Sequence, residues 1–283
     1  MSRQHQILLN KARKSDDTEA IKIYHQILAE APTNDEAHFN LGLIYKRQQN
    51  WEKSFLHNQK AAIFDPSHDG SWWNLGMAAT MLKEWRVARQ AWNHFGLKYE
   101  DTDDEITGQI GITPVRTNPR GEHPEVIWCK RIDPARTMIE NVPTLASNRH
   151  FGDILLNDGA PNGFRKINGQ EFAVFDEVVV IKKSEYLTYE VAIEGSNAAE
   201  IKAFERICEG YGVECEDWTS NIRLLCKQCS EGRPHKEHDN KLKSEDGVFL
   251  LGLAAKNRAQ IDQVFESWTM KTLNKQIEII NFG

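Results

Sequence analysis

Residues 35–102 fall into two lines of equal length: DEAHFNLGLIYKRQQNWEKSFLHNQKAAIFDPSH over 35–68 and DGSWWNLGMAATMLKEWRVARQAWNHFGLKYEDT over 69–102. Leu41, Gly42, Trp51, Ser54 and Ala61 in the first line are answered by Leu75, Gly76, Trp85, Ala88 and Phe95 in the second, always 34 places on. Agreement of large, small and glycine positions at one offset marks a repeated structural unit. Each unit reads as two helices, Ala37–Gln48 with Trp51–Phe64 and then Ser71–Leu82 with Trp85–Lys98. The glycine of each Leu-Gly pair permits close helix approach, and Pro66 ends its helix because it has no N–H to donate.

The same frame extends back to Met1, where Ala20, Tyr24 and Pro32 fall at the small, aromatic and helix-stop positions. Three repeats over 1–34, 35–68 and 69–102 are therefore expected, the first degenerate because Ile7 and Leu8 stand in place of Leu-Gly. Terminal repeats commonly depart from the pattern in this way. This array resembles the tetratricopeptide repeat family. The resemblance implies a groove lined by the first helices of successive repeats, at Phe39, Asn40, Leu43, Lys46 and Arg47, then Trp73, Asn74, Met77 and Met81. Such a groove is apolar with a basic edge. The family's carboxylate clamp for chaperone tails wants Lys or Arg where this chain has Gly70 and Asn74, and Asn where it has Leu9. Only Asn40 fits that clamp, so a chaperone tail is not the expected ligand. Left open, Trp73 and Met77 would be an exposed apolar patch. The groove is thus expected to hold either a partner protein's helix or the chain's own C-terminal part.

Helical periodicity stops after the acidic run 100–105, and the chain turns to Gly, Pro and β-branched residues. A small β-rich, barrel-like module is expected over 103–183, with apolar runs at Val126–Cys129, Ile154–Leu156 and Val178–Ile181. Asn168 and Gly169 between two short runs signal a hairpin, and Asp158–Gly163, with Pro161 and two glycines, reads as another turn. Trp128, Arg131, Asp133, Arg136, His150, Asp153 and Asp176 are the conspicuous side chains here. As an active site they would make the chain a hydrolase, which requires His150, Asp153 and Asp176 to share one pocket. Otherwise they are turn caps and ion pairs.

In residues 184–283 the order is strand, helix, strand, then strand, helix, strand. Leu187, Tyr189, Val191 and Ile193 alternate on one strand; Ile201, Phe204 and Ile207 recur at helical spacing over Ala198–Glu209. A strand region follows over Val213–Leu225. Val248–Ala254, Arg258–Met270 and Gln276–Ile280 complete the series, with Ile261, Val264, Phe265 and Trp268 on one side of the second helix. This order suggests a ferredoxin-like αβ sandwich, and the expected fold class is α+β. Between its halves lie Cys226, Cys229, His235 and His238. Two thiols two residues apart, with two histidines three apart, can close a tetrahedral structural zinc site. The alternative is a reduced surface Cys-x-x-Cys with incidental histidines. Cys208 and Cys215 read as core residues.

The 283 residues carry 40% hydrophobic and 27% charged residues, enough for two or three packed domains. No apolar run approaches the ~20 residues of a membrane span, and no signal-peptide core follows Met1, so a cytoplasmic location is expected. Five cysteines in so long a chain fit a reducing compartment. Of the 35 Lys+Arg and 41 Asp+Glu, 13 and 12 lie in residues 1–102, leaving 22 and 29 beyond. That acidic excess counts against nucleic acid as partner, though a zinc-containing RNA-binding regulator stays among the readings, and it favours a basic protein partner. No phosphate loop, Gly-x-Ser-x-Gly elbow, His-Glu-x-x-His or dinucleotide fingerprint is present. The arrangement of a short repeat array before a compact αβ region is similar to bacterial toxin-neutralising (immunity) proteins. The reading as a whole is a protein-interaction molecule.

Overall fold

The computed structural model describes residues 3–167, 170–219, 248–271 and 276–282. The chain is mixed α+β and divides into two compact units, Met1–Thr107 and Gly108–Gly283, each taken by itself below.

The first unit consists of six helices: α1 Arg3–Ala12, α2 Asp17–Glu30, α3 Asp35–Arg47, α4 Trp51–Phe64, α5 Asp69–Leu82 and α6 Trp85–His94. Side-chain caps start four of them. Asp16 accepts from Thr18 N and Glu19 N, Asn34 from Ala37 N, Asn50 from Lys53 N and His68 Nδ1 from Ser71 N, each satisfying amides that have no partner in a first helical turn. The 34-residue repeat is legible in the backbone itself. Gln49 (φ 55°) and Lys83 (φ 61°) are both left-handed, and the next amides, Asn50 N and Glu84 N, donate back to Tyr45 O (2.9 Å) and Ala79 O (2.8 Å). It is legible in packing too. A Cβ on Gly42 would lie 2.4 Å from Asn58, and one on Gly76 would lie 2.5 Å from Trp92, the homologous partner. Consecutive helices pack on each other, and α3 also packs on α5. Leu9, Ala20, Tyr24 and Ile27 share one buried cluster with Leu41, Ile44 and Tyr45, so the degenerate first pair is cored together with the second. The expected continuation of α6 to Lys98 fails at Gly96, whose φ of 87° breaks the helix; Asn93 then holds Tyr99 through both its N–H and its C=O.

The second unit opens with a closed five-stranded barrel: β1 Ile112–Thr117, β2 Glu125–Arg131, β3 Arg136–Ile139, β4 Ile154–Ile167 and β5 Gln170–Lys182. Successive strands are antiparallel. Closure comes from parallel pairing of β1 with β5, Val115 opposite Phe175 and Arg116 opposite Asp176. Val115, Ile127, Cys129, Ile139 and Leu155 fill its interior. Ile167 pairs with Gln170 across the expected hairpin, whose Asn168 and Gly169 lie outside the described residues. The turn expected at Asp158–Gly163 is instead the middle of β4. Register shifts between Asn157 and Pro161 and between Pro161 and Phe164 absorb the proline, which has no amide for the ladder, and Gly163 takes φ 101°.

Next come β6 Leu187–Glu194, α7 Ala198–Gly210, β7 Glu214–Asp217, β8 Val248–Ala255, α8 Arg258–Lys271 and β9 Gln276–Phe282. The strands form an antiparallel sheet in the order β7-β8-β6-β9. A capping box starts α7, Asn197 accepting from the Glu200 amide while Glu200 accepts from the Asn197 amide. The period-two row Tyr189, Val191 and Ile193 meets Ile201, Phe204 and Ile207 of α7 and Ile261, Val264 and Trp268 of α8. On the other side of β8, Ala254 and Leu250 pack with Trp218, Val142, Phe151 and Tyr186. Glu216 Oε2 accepts from Val142 N (3.1 Å), and Trp218 Nε1 donates to Val142 O (3.3 Å), tying barrel to sheet within this unit. Among the described residues, no helix is long and apolar enough to cross a membrane.

Candidate functional site

The face shared by α3 and α5 brings together one pair from the expected groove. Lys46 Nζ donates to Asn74 Oδ1 at 2.8 Å, with both residues buried, so two successive first helices are joined by a charge-assisted hydrogen bond. Leu43 and Met81 are half-buried, and Met77 is fully buried. Asn40 turns back on its own helix, donating to Glu36 O (2.8 Å). Phe39 stays at the α3–α5 face, edge-on to the α5 cap His68 (4.4 Å between ring centres) and so close to Gly70 that a Cβ there would lie 3.1 Å from its ring. Two residues make their described contacts elsewhere: Arg47 pairs with Asp17 of α2 (2.6 Å), and Trp73 packs edge-on against Trp92 and Phe95 around α6.

A second constellation on the helices is one that reading the sequence did not single out. His38 of α3 and His57 of α4 place their Nδ1 atoms 3.0 Å apart, both rings buried, with His25 of α2 5.9 Å from His57 between ring centres. His38 Nε2 lies 3.1 Å from the Pro32 carbonyl, which can only accept, so that nitrogen carries the proton. His38 Nδ1 is then the acceptor, and His57 Nδ1–H the donor. The pair is neutral. Burial pushes the His57 pKa down to about 4, helped by His38, His25, Lys60 and Lys53, and burial likewise lowers that of His38. A comparison between repeats would have flagged it: His57 occupies the place that Ala91 holds 34 residues on.

The conspicuous barrel residues are spent on structure. Asp133 caps the amides of Ala135 (2.9 Å) and Arg136 (2.7 Å) and pairs with the Arg136 guanidinium (2.6 Å) in full burial. Asp153 accepts from the amides of His150 (2.9 Å) and Ser184 (2.8 Å), with His150 Nδ1 3.8 Å away. Asp176 is held by Arg116 across β1 and β5 (2.8 Å twice) and by Asn162 (3.0 Å). His150 and Asp153 thus share a turn, while Asp176 belongs to the barrel seam. Arg131 donates to Pro134 O and to Thr113 Oγ1 (3.2 Å) and lies over Phe175, and burial lowers its pKa. Trp128 N donates to Asn141 Oδ1 (2.7 Å), and the Trp128 ring meets Phe172 edge-on.

Cys226, Cys229, His235 and His238 lie outside the described residues. Among the described residues, no group of three or more His, Cys, Asp or Glu is arranged to hold a metal ion. Cys208 and Cys215 are free thiols belonging to the core between the four-stranded sheet and α7 and α8, Cys208 buried and Cys215 half-buried; hydrogen bonding to Cys208, and then burial, raises the Cys215 pKa. A scan against models of protein families finds no match to this chain, and a search of curated proteins finds no relative.

Proposed function

We propose that residues 1–102 are three tetratricopeptide repeats whose first helices form a recognition surface for a protein segment, followed by a β-barrel and a ferredoxin-like sandwich. The observation that carries this is the Lys46–Asn74 bond, which joins the faces of α3 and α5 that the repeat geometry assigns to ligand. The recurrence at 34 residues of left-handed residues, back-bonds and glycine contacts supports the repeat reading. The order β7-β8-β6-β9, with one helix between β6 and β7 and one between β8 and β9, supports the sandwich reading. The acidic excess beyond residue 102 favours a basic partner, and the order of a short repeat array before an αβ region keeps a toxin-neutralising role among the readings.

Native mass spectrometry of the chain purified from its own cells tests the proposal. The expected spectrum shows a second polypeptide in fixed ratio that is lost in Leu43→Asp. Cross-links from α3 and α5 to residues 108–283, with no second polypeptide, would identify the chain's own C-terminal part as occupant. A spectrum with no second polypeptide, together with no cross-links from α3 and α5 to residues 108–283, would overturn the proposal. The same spectrum reads any zinc carried by Cys226, Cys229, His235 and His238.

A further inference from the structure

The two edges of the four-stranded sheet are built differently. β7, at one edge, is four residues long and reads Glu-Cys-Glu-Asp, three acids in four positions, with Glu216 already engaged by the Val142 amide. Short, charged strands are the usual means by which a sheet edge is kept from pairing with another chain. β9, at the other edge, is seven residues long and carries a single charge, Glu278, with no Lys, Arg or Pro. Its Ile277 and Ile279 pack against the core beneath the two helices, while Ile280 (53% exposed) faces solvent and Phe282, though 64% exposed, stacks its ring on Tyr189. Beside it runs a cavity of about 460 Å³ lined by Phe265 of α8, by Ile277, Ile279 and Phe282, and by the charged Arg258 and Glu278, so among the described residues the core is open along this edge.

We infer that β9 pairs with β9 of a second copy of this chain, antiparallel about a two-fold axis, to make one continuous sheet. The added strand must bring a row of apolar side chains to the open core, and β9 itself carries such a row with one acid, Glu278, at a cavity that Arg258 also lines. An axis at Ile279 sets that residue against its own copy and keeps the two Glu278 carboxylates apart, whereas an axis at Glu278 would oppose them directly. The acidic β7 edge disfavours head-to-tail stacking, so pairing closes at two copies and does not propagate. Ile280, the extra residue at the register shift opposite Glu190 and Val191, adds exposed apolar surface to the contact. One strand pair buries less than a standard interface, so the dimer is a weak one, forming at micromolar concentrations.

The test is the mass in solution of the full chain by light scattering over ~1–100 µM, a range that brackets a weak interface. The mass should rise from 32.5 kDa toward twice that value. Hydrogen exchange at the β9 amides should slow over the same concentrations. Ile280→Lys, at an exposed position, should abolish both effects with an unchanged circular dichroism spectrum; Glu214→Lys on the opposite edge should leave both intact. A single-chain mass at ~100 µM overturns the inference, as does a dimer that survives Ile280→Lys. So does a complex with a different polypeptide at β9 while the purified chain stays monomeric.

Discussion

Between the helical unit and the β unit the decisive contacts differ in reach. In the first, Gly42 meets Asn58 and Gly76 meets Trp92, each 16 residues along, and the pattern returns after 34. In the second, Arg116 seals the barrel on Asp176, 60 residues away, and Glu216 holds the Val142 amide, 74 away. A repeat writes its packing rule several times over, so each element's neighbours can be read from sequence. A closed barrel writes its rule once, between distant segments, and carries a larger loop-closure cost before any contact forms.

The largest expected effect breaks the β unit at one buried ion pair. Asp133→Ala removes the carboxylate that pairs with the buried Arg136 guanidinium and uncaps two amides, so chemical denaturation should register a loss of about 3–5 kcal/mol. Acid should act on the helical unit instead. Above pH ~6.5 His57 is neutral in both states; as pH falls further the unfolded chain takes up a proton that the native one, with its pKa near 4, refuses. Stability should therefore decline from pH ~6.5 to ~4 by about 3 kcal/mol, and His57→Gln should flatten that part of the profile.

Smaller effects compare the two units position by position. Gly76→Ala drives a methyl group into the buried Trp92 ring, and Gly252→Ala drives one to 2.2 Å from Trp218, so each should cost about 1–3 kcal/mol in thermal or denaturant unfolding. Gly210→Ala, with nothing within 4 Å, should cost nothing. Least of all, Arg86→Ala removes an exposed pairing with Asp101 and Asp103, and the midpoint should not move at physiological salt.

The contrast in reach also explains what was legible. Periodicity placed α4 at Trp51–Phe64 and the start of α6 at Trp85, and the alternation of Tyr189, Val191 and Ile193 placed β6 against its two helices. The parallel β1–β5 seam was not legible, since no local pattern records a partner 60 residues away. Pro161 and Gly163 misled because residues that usually break a strand sit here at bulges inside one. At the candidate site, the repeat frame assigns Lys46, Trp73 and Asn74 to first helices, but it does not specify their side-chain partners: the Lys46–Asn74 bond and the packing of Trp73 on Trp92 and Phe95 depend on the residues that happen to stand opposite. The His38–His57 pair escaped because no local pattern ties histidines 19 apart; only His57 standing where the next repeat has Ala91 marks the position.

The most direct test of the proposed recognition surface is hydrogen exchange on the chain in complex with a co-purified partner against the free chain. Slowed exchange should concentrate in α3 and α5, around Leu43–Arg47 and Trp73–Met81, and should vanish with Leu43→Asp. Protection confined to the β unit, with α3 and α5 unchanged, would contradict it.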